Sequence, residues 1–103
     1  MIIVDEQFPL GTIVITPGIQ ALEIPENDLQ AILLRHADMD WGDICDEDKQ
    51  SNDRCVLDRH DDMLLSSYLV DGLHKMNIVV LIITDAGWLH GHNITTILLP
   101  KEY

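Results

Sequence analysis

The feature that most constrains the fold is an unbroken apolar segment, IVVLII at residues 78–83. This segment is far shorter than the roughly 20 apolar residues of a membrane-spanning helix. A short apolar run rich in β-branched side chains is typical of a buried strand. We therefore predict a central strand over residues 76–84. With 103 residues in all, the chain is long enough for one core, which predicts a single domain over residues 1–103.

Three further strands are predicted from their apolar character and from the turn residues that end them. They cover residues 12–16, 63–70 and 93–99. Pro17-Gly18 ends the first, Asp71-Gly72 is a dipeptide favoured in hairpin turns, and Pro100 ends the last. Asp71-Gly72 therefore predicts an antiparallel connection between the second strand and the central one.

Two helices are predicted between the first and second strands. One begins near Pro25, and its apolar stripe has helical spacing: Leu29, Ile32, Leu33 and a partly buried His36. Residues 40–43 interrupt it, and a second helix begins at Asp43 or Asp46 and ends at Leu57 or Asp58. The order β-α-α-β-β-β predicts an α+β domain. Two helices pack on one face of a largely antiparallel sheet of about four strands.

The charge of the chain excludes several function classes. Its 18 acids and 6 Lys and Arg residues give a formal net charge of −12. Nucleic-acid phosphates and anionic membrane surfaces attract proteins through Lys and Arg, so direct binding to either is not expected. A strong negative charge keeps a protein in solution, and it also attracts basic partners over long distances.

The cysteines and the N-terminus predict a cytoplasmic location. On one helix, Cys45 and Cys55 would lie about 15 Å apart at a rise of 1.5 Å per residue, which is beyond the reach of a disulfide. They are therefore expected to be reduced thiols. Acids stand among the first residues, where a signal peptide would carry basic ones.

Several stretches resemble a family of small acidic bacterial proteins, often labelled plasmid-related proteins or subunits of type I restriction systems. The matching stretches are residues 16–18 (TPG), 33–36 (LLRH), 40–43 (DWGD), 64–66 (LLS) with Tyr68, and 95–103 (TTILLPKEY). The resemblance implies a protein carried by a mobile genetic element, such as a plasmid or a phage. It implies no particular chemistry.

Catalytic and calcium motifs are weak. A calcium loop beginning at Asp38 would place Gly42 at its fifth position and Lys49 where the bidentate Glu belongs, so the motif fails. Cys55 and His60 could form a nucleophile and a base, but a cysteine on the apolar side of a helix is usually a core residue. We therefore predict a non-enzymatic protein without a cofactor.

A zinc-binding domain is an alternative. His90 and His92 are two residues apart, so on a strand both imidazoles would point to the same face and could meet one ion. His60, His74 and the two cysteines could add ligands. The Gly between the two histidines favours a turn instead, in which exposed histidines need no metal.

The acidic segment at residues 38–62, with ten acids and three bases, carries the main prediction. We expect it to dock onto a basic surface of a host nucleic-acid-handling or defence protein, such as a nuclease, a restriction complex or a CRISPR-type complex. It would act there as a DNA mimic. The expected contacts are Asp43, Asp46, Glu47, Asp48, Asp53 and Asp58, with Trp41 either as a rim anchor or as a core residue. The alternatives are a merely solvated helix face, the zinc site, and a structural homodimer that pairs through an edge strand.

Overall fold

A computed structural model describes residues 7–58, 63–71, 77–85 and 93–103. In chain order the elements are β1 (Thr12–Ile15), α1 (Pro17–Ala21), α2 (Glu26–Ala37), α3 (Asp46–Leu57), β2 (Leu64–Asp71), β3 (Asn77–Asp85), β4 (Ile94–Leu98) and a final 3-10 turn (Pro100–Glu102). Among these residues, no helix is long and apolar enough to cross a membrane.

The four strands form one open sheet in the order β1-β4-β3-β2. β3 pairs with β2 and β4 in antiparallel fashion, whereas β1 lies parallel to β4. The predicted α+β architecture and its largely antiparallel sheet are therefore confirmed. The apolar segment at residues 78–83 lies inside β3, which has a neighbour on each side as a central strand must.

One face of the sheet forms the core with the helices. Along β2, buried residues alternate with more exposed ones, as expected of a strand covered on one face. Leu64, Tyr68 and Val70 of β2, with Val80 and Ile82 of β3, join the helical side chains in one cluster of buried residues. The predicted stripe of α2 is buried as well: Leu29, Ile32, Leu33 and His36.

Helix α1 is an addition that the sequence analysis missed. Pro17 ends the first strand as predicted, but it also occupies the first turn of a five-residue helix. The Thr16 hydroxyl accepts a hydrogen bond from the Ile19 amide and so caps that helix. A helix of this length has too few residues to show an apolar period, so only the cap and the proline signal it.

A short connection positions α3 against β2. Gly42 has φ of +72°, a left-handed conformation that favours glycine. It also packs directly against the Ser67 carbonyl, where a β-carbon would have no room. The Ser67 amide donates to the Trp41 carbonyl, and the Asp43 amide donates to the Ser67 carbonyl. Residues 41–43 thus run along the outer edge of β2 immediately before α3 begins.

Candidate functional site

The acids of the predicted docking surface concentrate at the N-terminal end of α3. Asp46, Glu47 and Asp48 form its first turn, and Asp43 lies three residues before it; all four side chains are exposed. Acids at this end of a helix are stabilised by the positive pole of the helix dipole. We call these four residues the acidic patch.

No salt bridge reaches the acidic patch in the described part of the chain, although Asp43 interacts electrostatically with Arg35. The one salt bridge there joins Arg35 to Asp40, with 2.7 Å between Arg35 Nε and an Asp40 carboxylate oxygen. This contact lowers the pKa of Asp40, chiefly through the hydrogen bond from Arg35. The four carboxylates of the patch are exposed to solvent, where a basic surface could meet them.

Two of the expected contacts lie away from the patch. Asp53 is half-buried, and its carboxylate accepts a hydrogen bond of 2.8 Å from the Trp41 indole nitrogen. Asp58 is exposed at the C-terminal end of α3, about 18 Å along the helix axis from Asp46. Gln50 and Arg54 are exposed between these ends. Of the six acids expected as contacts, four therefore form a patch at one end of α3, and Asp53 and Asp58 lie outside it.

Trp41 is a core residue. Its side chain is only 3% exposed and packs edge-on against the His36 ring and stacks on Phe8. Of the two roles left open by the sequence, the structure therefore assigns the structural one. The bond from its indole nitrogen to Asp53 joins this part of the core to α3.

A groove lies beside the acidic patch, between α3 and the end of the chain. Its volume is about 320 Å³, and it is lined by Asp48, Ser51, Asn52, Met63, Leu65 and Tyr103. Met63 and Tyr103 are 39% and 67% exposed. An acidic rim beside exposed apolar side chains is the composition of many protein-binding surfaces, in which polar residues surround an apolar centre.

A buried chain of hydrogen bonds around His36 was not predicted. His36 Nε2 lies 2.9 Å from the Thr84 hydroxyl, which lies 2.9 Å from the Thr95 hydroxyl, and Thr95 donates to the Leu10 carbonyl at 2.7 Å. Because that carbonyl can only accept, Thr84 must donate to Thr95 and Nε2–H must donate to Thr84. His36 Nδ1 is then an acceptor for the Ser66 hydroxyl.

The pairing of His36 with Ser66 does not form a catalytic site. Both residues are 0% exposed, so no substrate can reach the serine hydroxyl. Burial lowers the pKa of His36 to about 3, which keeps the ring neutral at physiological pH. This series of hydrogen bonds is structural, because it joins α2 to β2, β3 and β4 through side chains that each have a partner.

The residues of the alternative zinc site, His90 and His92, lie outside the described residues. His60 and His74 do as well. Within the described ranges, no group of three His, Cys, Asp or Glu side chains is arranged to hold a metal ion. No disulfide joins Cys45, which is exposed, to Cys55, which is buried.

Comparisons of the chain with protein-family models, with curated proteins and with solved structures find no match.

Proposed function

We propose that this protein is a non-enzymatic binding protein that docks its acidic patch onto a basic protein surface. The observation that carries the proposal is the grouping of four exposed carboxylates at one end of α3, none of which forms a salt bridge in the described part of the chain. Opposite charge accelerates the encounter of two proteins and excludes partners of the wrong sign.

The groove beside the patch indicates what else the partner presents. Asp48 borders both features, while Met63, Leu65 and Tyr103 supply apolar surface in the groove. A matching partner would combine Lys or Arg residues with one or two apolar side chains inserted next to them. Charge alone would give a fast but weak encounter, and the apolar contact would slow dissociation.

A basic surface that normally binds nucleic acid is the partner class we favour. Such surfaces present closely spaced Lys and Arg residues, which bind phosphates and can bind carboxylates instead. The resemblance to proteins of mobile elements adds support, because a plasmid or phage gains from blocking a host nuclease, restriction complex or CRISPR-type complex. That support is by analogy.

The test compares two variants with equal changes in charge. The first carries Asp46→Asn, Glu47→Gln and Asp48→Asn in the acidic patch. The control carries Glu23→Gln, Glu26→Gln and Asp28→Asn, which lie just before and within the first turn of α2. Each variant loses three negative charges, and in both variants acids are removed from the positive end of a helix. Immobilised wild type and variants are used to capture proteins from a bacterial lysate.

The proposal predicts capture of a nucleic-acid-handling protein by the wild type and by the control, but not by the patch variant. Added duplex DNA should displace that protein, and raising the salt concentration should weaken its capture because exposed charges are screened. Equal capture by all three proteins, or no capture by the wild type, would mean that the acids serve only to keep the chain in solution.

A further inference from the structure

The outer edge of β1 is open. The Thr12 amide donates to the Asn93 carbonyl of the neighbouring segment, and the Thr16 amide donates to the Ile97 carbonyl. Because successive residues of a strand direct their backbone groups to opposite sides, the N–H and C=O groups of Ile13 and Ile15 point away from β4. No segment of the described chain pairs with that edge.

Side chains do not protect this edge either. All four residues of β1 are exposed, including Ile13 at 36%, Val14 at 41% and Ile15 at 42%. Monomeric proteins commonly place a Lys, a Pro or a bulge on an edge strand to prevent pairing with another chain. β1 contains none of these, so both its backbone and its side chains suit the addition of another strand.

The sequence of this edge is suited to pairing with a second copy of the chain. Residues 12–16 read TIVIT, which is the same in both directions. We propose that two copies of this chain pair through β1 in antiparallel fashion, about a twofold axis at Val14. Each residue then lies opposite one of its own kind: Val14 opposite the partner's Val14, Ile13 opposite the partner's Ile15, and Thr12 opposite the partner's Thr16.

The backbone geometry agrees with this register. Ile13 and the partner's Ile15 both direct their N–H and C=O groups outward, so they form a hydrogen-bonded pair that exchanges two bonds. The twofold axis repeats this pair, giving roughly four hydrogen bonds in all. β-Branched residues and threonines are favourable cross-strand pairs. The result is one continuous sheet across both copies.

Charge gives this association a distinctive salt dependence. Each copy carries a formal net charge of −12, so two copies repel each other, while β1 itself has no charged residue. Salt screens that repulsion and should strengthen the homodimer. The acidic patch has the opposite dependence, since salt weakens its attraction to a basic partner. The two proposals can therefore fail independently.

The register is tested with an engineered cysteine. Val14→Cys is made together with Cys45→Ser, so that no other exposed cysteine of the described residues remains. Residues opposite each other at a non-hydrogen-bonded position have α-carbons about 4.5 Å apart, which is within disulfide range. We expect a covalent dimer on mild oxidation. Val79→Cys in the same background is the control, because Val79 is equally exposed, at 41%, but lies on the inner strand β3.

A second pair of variants tests the association without a cross-link. Val14→Lys places two ammonium groups against each other at the twofold axis and should abolish dimerisation, whereas Val79→Lys should not affect it. Sedimentation velocity at increasing protein concentration and at high salt measures the dimerisation of both variants and of the wild type. Three results would each overturn the proposal: a wild type that stays monomeric at millimolar concentration, cross-linking of Val79→Cys as fast as that of Val14→Cys, or a Val14→Lys variant that associates like the wild type.

Discussion

The two edges of the sheet are treated in opposite ways. At the β2 edge, the Asn52 amide group donates to the Leu65 carbonyl at 2.7 Å and accepts from the Leu65 amide, while residues 41–43 satisfy both backbone groups of Ser67. At the β1 edge, Ile13 and Ile15 have no such partner among the described residues. The first half of the β2 edge is closed by tertiary contacts, whereas Leu69 further along it has no such backbone partner among the described residues, and the β1 edge is able to accept a strand.

The closed edge shows how a side chain can replace a strand. A carboxamide carries a donor and an acceptor side by side, as a backbone residue does, so a single Asn on α3 can complete the hydrogen bonding of Leu65. The same contact positions the helix that carries the acidic patch. Because α3 and residues 41–43 occupy the first half of this edge, strand addition along the whole of β2 would require their displacement.

The largest expected effect comes from opening the closed edge. Asn52 is 5% exposed, and Asn52→Ala removes the partners of the Leu65 N–H and C=O groups. Leaving two partly buried backbone groups unsatisfied should lower the free energy of unfolding by about 3 kcal/mol. Urea denaturation at neutral pH measures this change. The matched control is Ser51→Ala on the same helix, where an exposed substitution should change stability by less than about 0.5 kcal/mol. A similar small change for Asn52→Ala would show that the amide does not hold the edge.

An intermediate effect on the free energy of unfolding is expected from the hydrogen bonds around His36, which link β2, β3 and β4 but do not reach β1. Burial lowers the pKa of His36 to about 3, whereas in the unfolded chain it is about 6.5. Between these values the unfolded chain binds a proton that the folded chain does not, so stability is fully present above pH 6.5 and falls as the pH decreases toward 3. At pH 5 the loss should be about 2 kcal/mol, since one pKa unit corresponds to about 1.4 kcal/mol.

The variant His36→Gln isolates this contribution. It retains polar groups at the site but cannot titrate, and the other histidines titrate equally in both proteins. Urea denaturation at several pH values from 5 to 7 gives the free energy of unfolding of wild type and variant. Plotted against pH, the two free energies should converge as the pH falls. Parallel curves would mean that protonation of His36 is not linked to unfolding.

The smallest effect is expected at the open edge. Val14→Thr replaces one exposed β-branched residue with another, so the stability of the monomer should change by less than about 0.5 kcal/mol. Val80→Thr makes the same change at a position that is 0% exposed and should cost about 2 kcal/mol, because a hydroxyl is buried in apolar surroundings. Thermal unfolding of dilute samples compares the two. Equal losses would indicate that β1 is covered rather than open.

The local periodicity of the chain explains what could be predicted. The apolar stripe of α2 and the apolar run of β3 can both be read from residues close together in the chain, and each predicted element is present. The five-residue helix α1 was missed because its length hides any period. The grouping of acids in the first turn of α3 follows from their neighbouring positions in the chain, whereas the role of Asp53 depends on how the helix packs. Only the packing shows that Asp53 bonds to Trp41 rather than facing a partner.

The sequence by itself determined the order and type of the main elements, the excess of negative charge and the palindrome of residues 12–16. These are properties of neighbouring residues, whose side-chain period and charge do not depend on distant parts of the chain. Tertiary structure decided the parallel pairing of β1 with β4, the closure of the β2 edge by Asn52, and the burial of His36 between hydroxyls. Each of these needs groups that are far apart in sequence, and hydrogen-bond geometry selects them only once the sheet and its helices are packed.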